Sequence, residues 1–210
     1  MKPLFLALAA GLLCAGCAST SAPPSAPVAA APADPAAPAG YTVRLETSRG
    51  PVTIKVVRAD APIGADRFYR LVTTGFFNGA RFFRVVPDFV VQFGLPQDPK
   101  ANAPYEAPMV DDPVKLHNRR GTLTFAAGSQ PNSRTTQLFI NLHNNTGLDL
   151  QGFAAIGRVV EGMTVVDSLY SGDGEGPDQD KIEAEGGTYL AKNFPRLDYI
   201  KSAAVADEAR

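Results

Sequence analysis

Arg81-Phe82-Phe83-Arg84-Val85-Val86-Pro87-Asp88-Phe89-Val90-Val91-Gln92-Phe93-Gly94 consists of two apolar, β-branched runs on either side of a Pro-Asp turn signal. This is the pattern of two short strands meeting at a hairpin or tight corner. Two polar side chains, Arg84 and Gln92, interrupt segments otherwise rich enough in Phe and Val to bury themselves. Both therefore need partners or a solvent-facing groove. An arginine and an amide beside Phe89 suit an apolar cleft with a few directed donors, the usual construction of a small-ligand or peptide site.

Two further blocks follow in order. The first is Gly121 to Ala127, followed by Gln137-Leu138-Phe139-Ile140-Asn141. The second is Leu148-Asp149, followed by Gly152-Phe153 and the run to Val159. Together with Phe82 to Gly94 they resemble the signature blocks of the cyclophilin-type peptidyl-prolyl isomerases, over about Tyr41 to Ala203. The resemblance implies a mainly β fold, a closed antiparallel barrel of about eight strands capped by two helices, with a possible extra C-terminal helix. It implies that Arg84 is the catalytic residue, donating to the prolyl nitrogen, and that Gln92 positions the substrate carbonyl. By the same carry-over Phe89, Val90, Phe139 and Leu148 line the proline pocket, and backbone at Ala126 and Ala127 holds the peptide, with Gln137 and Phe153 as further binding residues. Phe83, Leu138, Ala127 and Phe153 depart from the residues common in eukaryotic members and resemble bacterial ones.

Without the resemblance each of these residues has a plainer reading. Phe89, Phe139 and Phe153 would be barrel core, because aromatic stripes usually pack. Arg84 would be a strand-edge charge.

At the other end of the chain, Met1-Lys2 is a positive start, Leu4 to Leu13 an apolar run too short to span a bilayer, and Cys14-Ala15-Gly16-Cys17 closes it. This reads as a secretory signal over residues 1–16. Its end resembles a bacterial lipoprotein cleavage site with Cys17 lipidated, although Cys14 stands where such sites usually have Leu. The resemblance implies attachment on the periplasmic side of a bacterial membrane. Ala18 rather than Asp after the cysteine favours the outer membrane. Residues 17–40 carry Asp34 as their single charge among Ala, Pro and Ser. They are expected to be a disordered tether.

Both cysteines lie at the signal, so the domain has no internal bridge to form. Loss of residues 1–16 removes one Lys, leaving 19 basic against 21 acidic side chains. Such a balance supplies no electrostatic reason to expect nucleic acid as a partner. The remaining domain, about 165 residues, is long enough for one substantial core.

Tyr41–Thr47 and Val52–Val57 alternate with period two around Ser48-Arg49-Gly50-Pro51, which predicts a hairpin. Pro62 to Val72 has apolar residues at helical spacing with Pro in the first turn. Pro96 to Asn118 is expected as an irregular loop able to wall the groove. Gly121–Ala126, Gln137–Leu142 and Phe153–Val160 are strand-like, and Met163–Tyr170 is a short helix. Gly172–Asp180 lacks the residues of a phosphate or calcium loop and reads as a flexible connector. Asp178–Asn193 is expected as a glycine-weakened helix, Pro195–Ala203 as the closing strand and 204–210 as a tail.

His117 and His143 lack companions at metal spacing, so no metal or other cofactor is expected. The expected partners are proline-containing polypeptides of the cell envelope, met by a monomer whose membrane contact runs through Cys17. Two other classes remain open: a chaperone that holds such segments without turnover, and a lipid-carrying barrel, which needs a hollow interior.

Overall fold

The computed structural model describes residues 34–209. The signal, Cys17 and most of the expected tether lie outside them.

Eight antiparallel strands form one curled sheet. In chain order they are β1 (Gly40–Thr47), β2 (Gly50–Val57), β3 (Arg84–Val86), β4 (Val90–Phe93), β5 (Thr122–Phe125), β6 (Leu138–Asn141), β7 (Ala155–Glu161) and β8 (Ile200–Ala209). Across the sheet the order is β3-β4-β6-β5-β7-β2-β1-β8. The segment leading into β3 is tied to the start of β8 by main-chain bonds: Gly79 N–H to Ile200 O at 2.8 Å, Ile200 N–H to Ala80 O at 2.8 Å and Phe82 N–H to Asp198 O at 2.9 Å.

The interior is filled by the side chains that period two turns inward. Val43, Leu45, Ile54, Val56, Leu123, Phe125, Leu138 and Ile140 are all buried in one cluster with Phe68, Phe77 and Phe93. Phe77 meets Phe93 edge-on with centroids 5.5 Å apart. A core packed by residues of zero or near-zero exposure has no room for a lipid, which removes the hollow-barrel alternative.

Helix α1 (Pro62–Thr73) caps one end, burying Ala65, Phe68, Leu71 and Val72. Its first turn has no side-chain cap of its own, since Ala61 stands at the N-cap. Asp112 supplies one from afar, accepting from Ile63 N–H at 3.1 Å and Gly64 N–H at 2.7 Å. The segment Pro96 to Asn118 is thus less irregular than expected. It contains a 3₁₀ turn, Pro99–Tyr105, and its acids hold other elements, while none of its residues lines the groove described below.

Three expectations about the C-terminal half and one about the tether need correction. Helix α2 (Met163–Asp167) stops before Tyr170, whose N–H is diverted to Asp198 Oδ2 at 2.8 Å. The single helix expected over Asp178–Asn193 is two, α3 (Gln179–Glu185) and α4 (Gly187–Asn193). They break at Gly186, whose φ is +61° and where a Cβ would stand 2.5 Å from Gln97 O. Residues 204–209 are not a tail: β8 continues to Ala209, paired along β1 up to Gly40↔Ala209. Main-chain pairing needs no run of large apolar side chains, so a stretch of small residues with Asp207 and Glu208 concealed it.

Within the expected tether, Asp34 and Ala37 are anchored to the domain. Ala37 is buried, its N–H donates to Asp66 Oδ1 at 2.8 Å, and the Asp34 carboxylate is buried between Arg67 and Arg70.

Candidate active site

The hairpin at Pro87-Asp88 positions the site. Phe89 N–H closes on Val86 O at 3.1 Å, with Pro second and Asp88 third at φ 60°, the arrangement of a type II turn. This sets the register Arg84↔Gln92. The next ladders add Gln92↔Phe139 and Thr124↔Phe139. Arg84, Gln92, Phe139 and Thr124 therefore form one row across the outer face of β3, β4, β6 and β5, while their neighbours Val85, Val91, Ile140 and Leu123 point into the core. A one-residue slip in any ladder would exchange the two sets.

The row is bonded laterally. Arg84 Nη1 donates to Gln92 Oε1 at 3.2 Å, and Gln92 Nε2 donates to Gln137 Oε1 at 2.7 Å. The guanidinium carbon lies 5.5 Å from the Phe89 ring centre. Phe139 and Phe153 meet edge-on at 5.9 Å. A groove of about 510 Å³ opens over this face. All ten residues expected at the site line it: Arg84, Phe89, Val90, Gln92, Ala126, Ala127, Gln137, Phe139, Leu148 and Phe153. The Ala126 N–H is engaged by Gln137 O at 2.9 Å, so its carbonyl and the Ala127 backbone are what that segment has to offer.

Behind the groove a polar network fixes the loop bearing Leu148 and Phe153. Asn118, fully buried, donates from its backbone and its amide to Asp149 Oδ1 at 2.9 and 2.8 Å, and from the same amide to Phe153 O at 2.6 Å. Thr124 Oγ1 and Asn141 Nδ2 donate to Asn118 Oδ1, so each member is satisfied. Burial alone would push the Asp149 carboxyl up. The Asn118 donors and His117, whose Nδ1 lies 2.9 Å from Oδ2, outweigh it and hold the carboxyl below its ordinary value.

Gly128, Ser133 and Thr135, from the turn-rich loop between β5 and β6 whose free backbone groups suit an extended peptide, also line it. Two further lining residues, Glu175 and Gln179, escaped sequence reasoning. Glu175 accepts from Arg84 Nε at 2.7 Å, yet sits in the connector of glycines, where spacing carried no signal. Arg134 was missed as well: buried, it donates to Gly152 O at 2.8 Å and stacks 5.2 Å over the Phe153 ring.

A small apolar pocket beside a fixed, laterally bonded arginine, on the outside of an antiparallel barrel, defines a site that grips a compact apolar group and directs donors at it. Comparison with known proteins agrees. The family model for the cyclophilin type peptidyl-prolyl cis-trans isomerase/CLD matches residues 42–185. A peptidyl-prolyl cis-trans isomerase of Acinetobacter baylyi is 36% identical over 136 residues, covering 62% of this chain and 72% of that one. Peptidyl-prolyl cis-trans isomerase A of Dickeya dadantii is 38% identical over 138 residues, 60% of this chain and 70% of that one. Among solved structures, a cyclophilin from Hirschia baltica superposes with a TM-score of 0.62 at 19% identity, over 84% of this chain and 77% of that one. A cyclophilin type isomerase from Cryptosporidium parvum, solved in the presence of the dipeptide Ala-Pro, gives 0.60 at 21% identity, over 80% and 99%. These two likenesses concern the fold.

The chain belongs to the cyclophilin-type peptidyl-prolyl cis-trans isomerases.

Proposed function

We propose that this chain accelerates rotation about Xaa-Pro bonds in exported polypeptides and so assists their folding, with Arg84 as its catalytic residue. The barrier to that rotation comes from amide resonance, about 18–20 kcal/mol, and the uncatalysed process takes tens to hundreds of seconds. No covalent step is required. As the bond twists, the prolyl nitrogen pyramidalises and regains a lone pair, which accepts a hydrogen bond it could not accept in the planar amide. An Arg84 N–H aimed at that nitrogen is stronger in the twisted state than in either planar one, which is transition-state binding. Gln92 holds the substrate carbonyl, Phe89, Val90, Phe139 and Leu148 hold the ring, and backbone at Ala126 and Ala127, with Gln137 and Phe153 beside it, holds the peptide.

The observation that carries this reading is the row Arg84, Gln92, Phe139, in which register alone sets a cationic donor beside an apolar pocket. The test is a protease-coupled proline-peptide assay on residues 34–210. A rate equal to the uncatalysed one, with peptide binding intact, would favour the holding chaperone instead.

The signal-like N-terminus supports export, and the Cys17 context supports a lipid anchor on the periplasmic side, outer membrane rather than inner. More than one acyl chain is needed for a stable hold. Cys17→Ser should release or misprocess the protein, and unchanged fractionation together with an unchanged N-terminal mass would defeat the anchor.

A further inference from the structure

The groove has two charged lining residues, Arg84 and Glu175. Glu175 lies in the connector between α2 and α3, which runs along the outer edge of β3, where Val85 N–H reaches Gly174 O at 3.3 Å. Its Oε1 takes both Arg84 Nε, at 2.7 Å, and Arg84 Nη2, at 2.5 Å. Its Oε2 has no hydrogen-bond partner among the described residues, and the side chain is 65% exposed against 24% for Arg84. One oxygen thus competes for the guanidinium, and the other is left unpaired on a largely exposed side chain that lines the groove. The connector itself is held in place, with Asp178 capping α3 by accepting from Lys181 N–H at 3.2 Å.

We propose that Glu175 is a specificity-determining residue that favours proline peptides carrying a cationic side chain in the arm of chain that passes β3. This rests on the isomerase reading of the groove. A lysine or arginine of the substrate can pair with Oε2 and weaken the hold of the carboxylate on Arg84, which leaves guanidinium N–H groups for the prolyl nitrogen. An acidic side chain in the same place is repelled by Glu175. The opposite end of the groove, at Ala126 and Ala127, lies across β4 and β6 from Arg84, roughly 14 Å away at ordinary strand spacing. Its lining residues are uncharged. The charge preference is therefore confined to one arm of the peptide.

The experiment uses two peptide series, with Lys, Gln or Glu placed within two residues before the proline or within two residues after it. The full-length protein and its Glu175→Gln variant are compared by kcat/KM and, on the same peptides, by affinity from isothermal titration. In the unaltered protein one series should show a Lys-over-Glu ratio of about fivefold, as expected for an exposed charge pair, while the other stays flat. Added salt should shrink that ratio. In Glu175→Gln the ratio should fall to one or invert, because Arg84 remains as the sole charge. An unchanged ratio in the variant, or equal responses in both series, overturns the assignment of Glu175 while the isomerase reading stands. If no peptide is turned over, the isomerase reading fails, and the affinity ratios still decide whether Glu175 selects by charge.

Discussion

Arg84 and Gln92 face each other across the β3–β4 ladder, and the guanidinium donates to the amide oxygen at 3.2 Å. Gln92 in turn leans on Gln137 at 2.7 Å. The guanidinium is therefore placed beside the groove by this chain of two side chains and by Glu175, as well as by its own strand, before a substrate arrives.

Arg84→Ala should remove most of the isomerase rate without unfolding the domain, since the side chain is partly exposed and holds no core contact. A donor aimed at developing charge is worth about 3–4 kcal/mol, on the order of 10²–10³ in rate. Arg84→Lys should recover little, because a flexible point charge lacks the fork. Gln92→Ala should cost less, as its part is orientation. Peptide isomerisation rates paired with circular dichroism check all three, and a folded Arg84→Ala protein with full activity would refute the mechanism.

Gly94→Ala should damage stability and site together. Gly94 follows β4 at φ +106°, and an added Cβ would stand 2.3 Å from Thr136 O and 2.8 Å from Gln137 Cα. Relief requires moving the segment that carries Gln137, and the φ alone costs about 1–3 kcal/mol. We expect a lowered Tm and a reduced kcat/KM. A variant that loses neither would show that the 136–137 backbone can yield.

A domain beginning at residue 41 should be less stable than one beginning at residue 34. Asp34 and Arg67 are both 4% exposed at the side chain and paired, and Asp34 also accepts from Arg70 Nη1 at 2.6 Å. Removing Asp34 leaves Arg67 buried without its counter-ion, a loss of about 3–5 kcal/mol by analogy with other broken buried pairs. Urea unfolding of the two versions measures it, and equal midpoints and slopes would contradict the prediction.

Acid should weaken the fold through Asp198. Burial pushes this carboxyl up, but Ser48 Oγ–H, Tyr170 N–H and Arg49 outweigh burial and hold it below its ordinary value. A pKa lower in the folded than in the unfolded chain contributes stability that is complete above the ordinary carboxylate range. That stability disappears as the pH falls through the depressed folded value. Asp149 acts with the same sign. Asp198→Asn should lower stability at neutral pH and flatten its decline toward acid, read from unfolding midpoints across a pH series; an unaltered acid limb would remove Asp198 from the account.

By itself the sequence determined the strands and the family. Period-two alternation in Tyr41–Thr47 and Val52–Val57 reports directly which side chains face a core, and the Arg84, Phe89, Gln92, Phe139 spacing is local enough to survive in one dimension. The tertiary structure decided what depends on residues distant in the chain. Asp34 read as the lone charge of a tether, and only the approach of α1 gives it Arg67 and Arg70. Residues 204–209 read as a tail because a strand held by main-chain bonds to β1 needs no apolar pattern of its own. Glu175 read as part of a connector, since an ion pair across 91 residues leaves no periodicity in the sequence. Hydrophobic burial is recorded in local pattern, whereas pairing between distant charges and edges becomes defined only once the barrel has closed.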